Sequence, residues 1–143
     1  MGPRTFSMLV ALALGGTVLV SCGSETSAFD IEVGDCLNDE ISGEISSVNT
    51  ISCDEPHNRE AYFAFNIADG EFPGEQAVSE EASTGCYNAF SDYVGILPDE
   101  SKYQIYSLTP TRESWEGLND REVLCMLGAG TEQISGTAKG TGE

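Results

Sequence analysis

Polar and apolar residues alternate over several short runs of this chain and follow a helical period over one long run. In "FDIEVGDCL", residues 29–37, apolar and acidic residues alternate up to a turn at Gly34-Asp35, the pattern of a strand with one buried face. "GEISSVNTISC", residues 43–53, has the β-branched and serine-rich composition of a second strand. "EAYFAFNI", residues 60–67, is the clearest strand, with Phe63, Phe65 and Ile67 predicted on one face and Tyr62 and Ala64 on the other. The turn-forming "ADGEFPGE" ends it through Gly70, Pro73 and Gly74. "YQIYSLTP" and "REVLCML" predict two further strands, and Val123, Cys125 and Leu127 share a face of the second.

The helical period lies in "EQAVSEEASTGCYNAFSDYVG", residues 75–95. Val78, Ala82, Cys86, Ala89 or Phe90, and Tyr93 recur at spacings of three and four and form one apolar stripe. Gly85 weakens that helix by ~1 kcal/mol relative to alanine, and Gly95 is its natural stop. These elements predict an α+β fold: a small, mostly antiparallel sheet with one main helix packed on it. "EQISGTA" near the C-terminus can add an edge strand, and residues 137–143 are expected to form a flexible tail.

Ahead of these elements, Arg4 precedes an uncharged apolar run, residues 5–21, that meets Cys22. A basic start, a short apolar segment and a small residue before the break read as a secretory signal. "LVSC", Leu19 to Cys22, resembles the bacterial lipoprotein signal box, in which cleavage leaves the cysteine as a lipidated first residue. The expected organisation is a signal peptide at 1–21, a tether at 22–28, a domain at 29–136 and the tail. The expected location is the outer face of the plasma membrane, with the membrane contacted through the lipid on Cys22. Stable anchoring takes more than one acyl chain, at ~0.8 kcal/mol per buried CH₂.

Charge narrows the partners. The chain carries 24 acidic against 6 basic residues, a formal net charge of −18, and every acidic residue follows Cys22. Such a domain is repelled by nucleic acid and by anionic headgroups, so DNA and RNA are excluded. No run matches a calcium-binding loop, and no two cysteines stand in the close spacing of a zinc site; no metal or cofactor is expected. Apart from Cys22 there are four cysteines, Cys36, Cys53, Cys86 and Cys125, an even number that reads as two disulfides in an exported domain. Cys86 lies on the buried stripe of the helix and Cys125 on the apolar face of its strand, which favours a helix-to-sheet bridge. Cys36 and Cys53 then pair across the intervening hairpin.

"CDEPHNRE", residues 53–60, sets a cysteine beside the only histidine, an arrangement a thiol nucleophile would use. Placing Cys53 in a disulfide removes that nucleophile. What remains is turn chemistry: Pro56 fixes φ, and Asp54 and Asn58 can bond local backbone. His57 is then either an orienting group in the turn or an exposed recognition residue. Trp115, between Arg112 and Arg121, is a second candidate contact, since Trp and Arg are favoured at interface hot spots.

The order of "VGDC" (33–36), "CDEPHNRE", "FPGE" (72–75), the helical "GC" (85–86) and "PTRESWEGLNDREVLCML" (110–127) resembles the septum formation domain family of actinobacterial envelope proteins. The resemblance implies a small extracytoplasmic domain with paired cysteines, tethered by a membrane helix or a lipid, and a link to division septa. It implies no defined catalysis. The expected function is therefore a lipid-anchored interaction module of the envelope, binding envelope or division proteins. The competing readings are a cell-wall-directed enzyme using a carboxylate pair and a small-ligand-binding lipoprotein.

Overall fold

The computed structural model describes residues 24–38 and 47–143; the signal segment and Cys22 lie outside the described residues. Among the described residues six strands form one sheet: β1 (Ser24–Ser27), β2 (Cys36–Leu37), β3 (Ser47–Ile51), β4 (Arg59–Asn66), β5 (Gln104–Leu108) and β6 (Glu122–Gly128). Their spatial order is β1-β3-β2-β4-β6-β5, and every pairing is antiparallel. One long helix, α1 (Glu75–Val94), packs on one face, and a short helix, α2 (Arg112–Gly117), precedes β6. The α+β class, the single main helix and both disulfides are as expected.

The stripe on α1 buries Val78, Ala82, Cys86, Phe90 and Val94. Opposite it, β6 turns Val123, Cys125 and Leu127 toward the helix and Leu124 and Met126 toward a second, smaller core with Ile31, Leu37 and Val48. Cys86 and Cys125, both fully buried, join helix to sheet with Cα atoms 5.4 Å apart. Cys36 and Cys53 are joined likewise, with Cα atoms 5.2 Å apart. Gly85 has a packing reason: a Cβ there would lie 2.4 Å from the Phe65 ring, so glycine lets that ring rest against the helix. Gly95 ends α1 at φ 93°, its N–H bonded to the Ser91 carbonyl.

Four local expectations are corrected. "FDIEVGDCL" turns at Gly34 as expected, but no strand precedes that turn: residues 28–30 form a 3-10 turn and only Cys36–Leu37 lie in the sheet. The Asp35 side chain accepts from the Glu32 N–H at 2.9 Å, a local bond that competes with strand pairing. Residues 24–27 of the expected tether are strand β1, paired with β3 from Ser24 opposite Thr50 to Ser27 opposite Ser47. In β4 the register with β6 shifts between Ala61 and Phe63. This bulge adds a residue to one strand, so Tyr62 joins the α1 side of the core while Ala61 and Ala64 face the smaller one.

The fourth correction concerns the C-terminus. Instead of a flexible tail, residues 137–143 pack along the end of α1. Gly140 N–H bonds the Tyr93 carbonyl and Gly142 N–H the Val94 carbonyl, each at 2.8 Å, and Ala138 is fully buried. Ahead of it, Ile134 forms a two-way bridge with His57 rather than an edge strand.

Candidate functional site

The stretch "CDEPHNRE" ends in a buried polar hub. Glu60, the second residue of β4, sits opposite Cys36 and is fully buried. Its Oε1 accepts from the Tyr93 hydroxyl at 2.7 Å and from the Thr137 hydroxyl; its Oε2 accepts from the Ala138 N–H at 2.7 Å. One side chain on the sheet thus holds both the end of α1 and the C-terminal segment. Burial, and then the bond to Glu60, push the Tyr93 phenol up to about 12. Burial also raises Tyr62 well above the usual phenol range, with its hydroxyl donating to the Cys86 carbonyl at 2.6 Å.

His57 is fully buried, and so is not a surface contact in this fold. Its Nδ1–H donates to the Glu55 carbonyl at 2.8 Å, while Nε2 is buried without a partner. Sγ of Cys36, a ring nitrogen of His57 and a Glu60 carboxylate oxygen all lie within 4.8 Å of one another. In the disulfide form Cys36 has no thiolate to offer a metal.

Trp115 is buried as well, and its role is architectural. Its indole N–H donates to the Gly70 carbonyl at 2.9 Å, Phe72 meets it edge-on, and the Arg121 guanidinium lies 3.8 Å above its ring. Arg121 also pairs with Asp69 at 3.0 Å, with only 12% of its side chain exposed. Arg112 is exposed, pairs with Glu116 and covers Phe72. The cluster fixes α2 on the sheet: both arginines are absorbed by carboxylates and rings, as buried or stacked guanidinium groups require.

On the other side of α2 is an open groove that the residue patterns did not reveal. It has a volume of about 440 Å³ and lies between the ends of β5 and β6, α2 and the Ala28–Asp30 turn. Leu108, Leu124, Phe29 and Leu118 supply its apolar lining, with Phe29 and Leu118 58% and 67% exposed. Glu113, Asp120 and Glu122 supply carboxylates, and among the described residues no lysine or arginine lines it. Helix α2 is held in place beneath it by a capping box between Thr111 and Ser114. The Ser114 hydroxyl also donates to Asp120 at 2.9 Å.

No helix among the described residues is long and apolar enough to cross a membrane. No curated protein and no solved structure matches the chain. A family model described as septum formation matches residues 33–142, from the turn before Cys36 through both disulfides, the hub and the packed C-terminal segment, and the chain belongs to that family.

Proposed function

We propose that this chain is an extracytoplasmic interaction module of the cell envelope that acts in septum formation, held to the outer face of the plasma membrane by lipid on Cys22. Family membership supports the septal role, and the "LVSC" box supports the anchor. The observation that carries the interaction reading is the groove. Exposed Phe29 and Leu118 over an apolar floor offer area for a large side chain, and Glu113, Asp120 and Glu122 offer charge with no basic side chain in the lining among the described residues. Its occupant is a segment of a partner protein with an apolar side chain flanked by lysine or arginine. Complementary charge of this kind sets partner choice and association rate more than raw affinity.

A photo-crosslinking side chain placed at Leu118 in intact cells tests this, with the same group at exposed Tyr87 on α1 as control. The expected adduct forms from position 118 only, maps to a basic and apolar peptide, and disappears in the Glu113→Lys, Glu122→Lys variant. No adduct at 118, or one that survives charge reversal, overturns the reading.

A further inference from the structure

We propose that the buried hub is a latent metal site, closed by the Cys36–Cys53 disulfide and opened to Zn²⁺ when that bond is reduced. Three donors already lie together there, Sγ of Cys36, a ring nitrogen of His57 and a Glu60 oxygen, and Sγ of Cys53 is the fourth that opening the disulfide supplies. Cys36, His57 and Glu60 are fully buried, and their ligand atoms lie within 4.8 Å of one another; Cys53 is bonded to Cys36. Two thiolates, an imidazole and a carboxylate suit tetrahedral zinc.

The groups behind these donors are arranged as a metal requires. A ligating histidine usually donates its other ring N–H to a carbonyl or carboxylate, which fixes tautomer and ring angle. Here Nδ1–H donates to the Glu55 carbonyl, which leaves the Nε2 lone pair bare and without a partner. A buried nitrogen in that state costs free energy unless something occupies it. Glu60 is held by Tyr93, Thr137 and the Ala138 N–H, but Oε2 accepts only one of those bonds and keeps a lone pair.

The two disulfides differ in access. Cys86 and Cys125 are both fully buried and staple helix to sheet, whereas Cys53 is half-buried at the surface end of its bridge. A dithiol reductant therefore attacks Sγ of Cys53, and Cys36 leaves as a thiolate. The reductant's second thiol then attacks its own sulfur in the mixed disulfide, which frees Cys53 and closes a disulfide on the reductant. Two electrons pass to the protein, and Zn²⁺ binding releases the remaining thiol protons to solvent. The Cys86–Cys125 bridge keeps the domain folded throughout.

The test uses the whole folded chain, treated with mild dithiothreitol until two thiols titrate beyond any at Cys22, with circular dichroism confirming the fold. Zn²⁺ is then added, and alkylation of Cys36 and Cys53 is followed by mass spectrometry. The expected result is one Zn²⁺ per reduced chain and at least tenfold slower alkylation of both thiols. The oxidised chain, with the same acidic surface, takes up none at that affinity. His57→Gln should weaken uptake by at least ~10-fold, since changing even an outer-shell partner of a metal ligand costs about that much. Equal uptake by oxidised and reduced protein, no protection of the thiols, or His57→Gln binding as wild type overturns the proposal. If that variant does not fold, the protection experiment on the wild type decides alone.

Discussion

Replacing Glu60 with glutamine tests whether one buried side chain holds the C-terminal segment on the domain. The substitution keeps the shape, so no cavity term enters. Glutamine has one acceptor oxygen where glutamate has two, and its amide group is itself a donor. If the oxygen stays toward the Tyr93 and Thr137 hydroxyls, the NH₂ meets the Ala138 N–H, which is then buried and unpaired. A hydrogen bond to a charged group contributes ~1.5–3 kcal/mol, and an orphaned buried donor costs ~1–3 kcal/mol. The two overlap, so the expected loss is about 2–4 kcal/mol. In a domain of this size that lowers Tm by roughly 10 °C. Differential scanning calorimetry reads the Tm, and hydrogen exchange reads the amides of Gly140 and Gly142, which bond the end of α1. Those two amides should exchange faster by more than the global loss accounts for. A Tm change under ~2 °C, with both amides protected as before, would refute the assignment of Glu60 as the anchor.

Three further outcomes are expected. Tyr93 has a folded-state pKa raised to about 12 against an ordinary 10.0, so the stability it contributes is full below about pH 10 and is lost as pH rises through 12. Spectrophotometric titration should show a late-ionising component to which both Tyr62 and Tyr93 contribute, and it should lose one tyrosine's amplitude in Tyr93→Phe. A late component of undiminished amplitude in that variant contradicts the assignment. Joint replacement of Cys86 and Cys125 by alanine removes a cross-link of separation 39, worth about 4 kcal/mol in the chain-entropy model, and urea denaturation should show a loss of at least that size. Cys22→Ala should move the protein from the membrane to the soluble fraction; persistent membrane association would remove lipid on Cys22 from the account.

Much of this fold was legible because its strongest signals are periodic. The α1 stripe and the alternation in β6 placed Cys86 and Cys125 on facing surfaces, and the helix-to-sheet disulfide follows from that geometry. The bulge in β4 was not legible, because one extra residue leaves composition unchanged while moving Tyr62 to the other face. The packed C-terminus was hidden for a different reason. It depends on a contact between Glu60 and Thr137, 77 positions apart, inside a stretch of glycine, serine and threonine that carries no apolar pattern. Helix α2 is only six residues long, too short for a period to show, and its capping box uses serine at the third position in place of glutamate.

The candidate site divides in the same way. "CDEPHNRE" stood out as a dense run of chemistry, and the structure makes it a buried hub in which His57 and Glu60 face inward. Trp115 and Arg121 stood out as hot-spot residues and are spent on holding α2 in place. The groove they support is built from residues in four separate segments, none conspicuous alone. Exposed apolar area of this kind becomes visible only when the chain is folded.

The interaction account is tested most directly by nuclear magnetic resonance titration of the isotopically labelled domain with two short peptides, one centred on Lys-Phe-Lys and the other on Glu-Phe-Glu. The account predicts chemical-shift changes at Phe29, Leu108, Leu118 and Leu124 with the basic peptide, none with the acidic one, and loss of the response in Glu113→Lys, Glu122→Lys. Equal responses to both peptides, no response to the basic one, or changes confined to another face would contradict it.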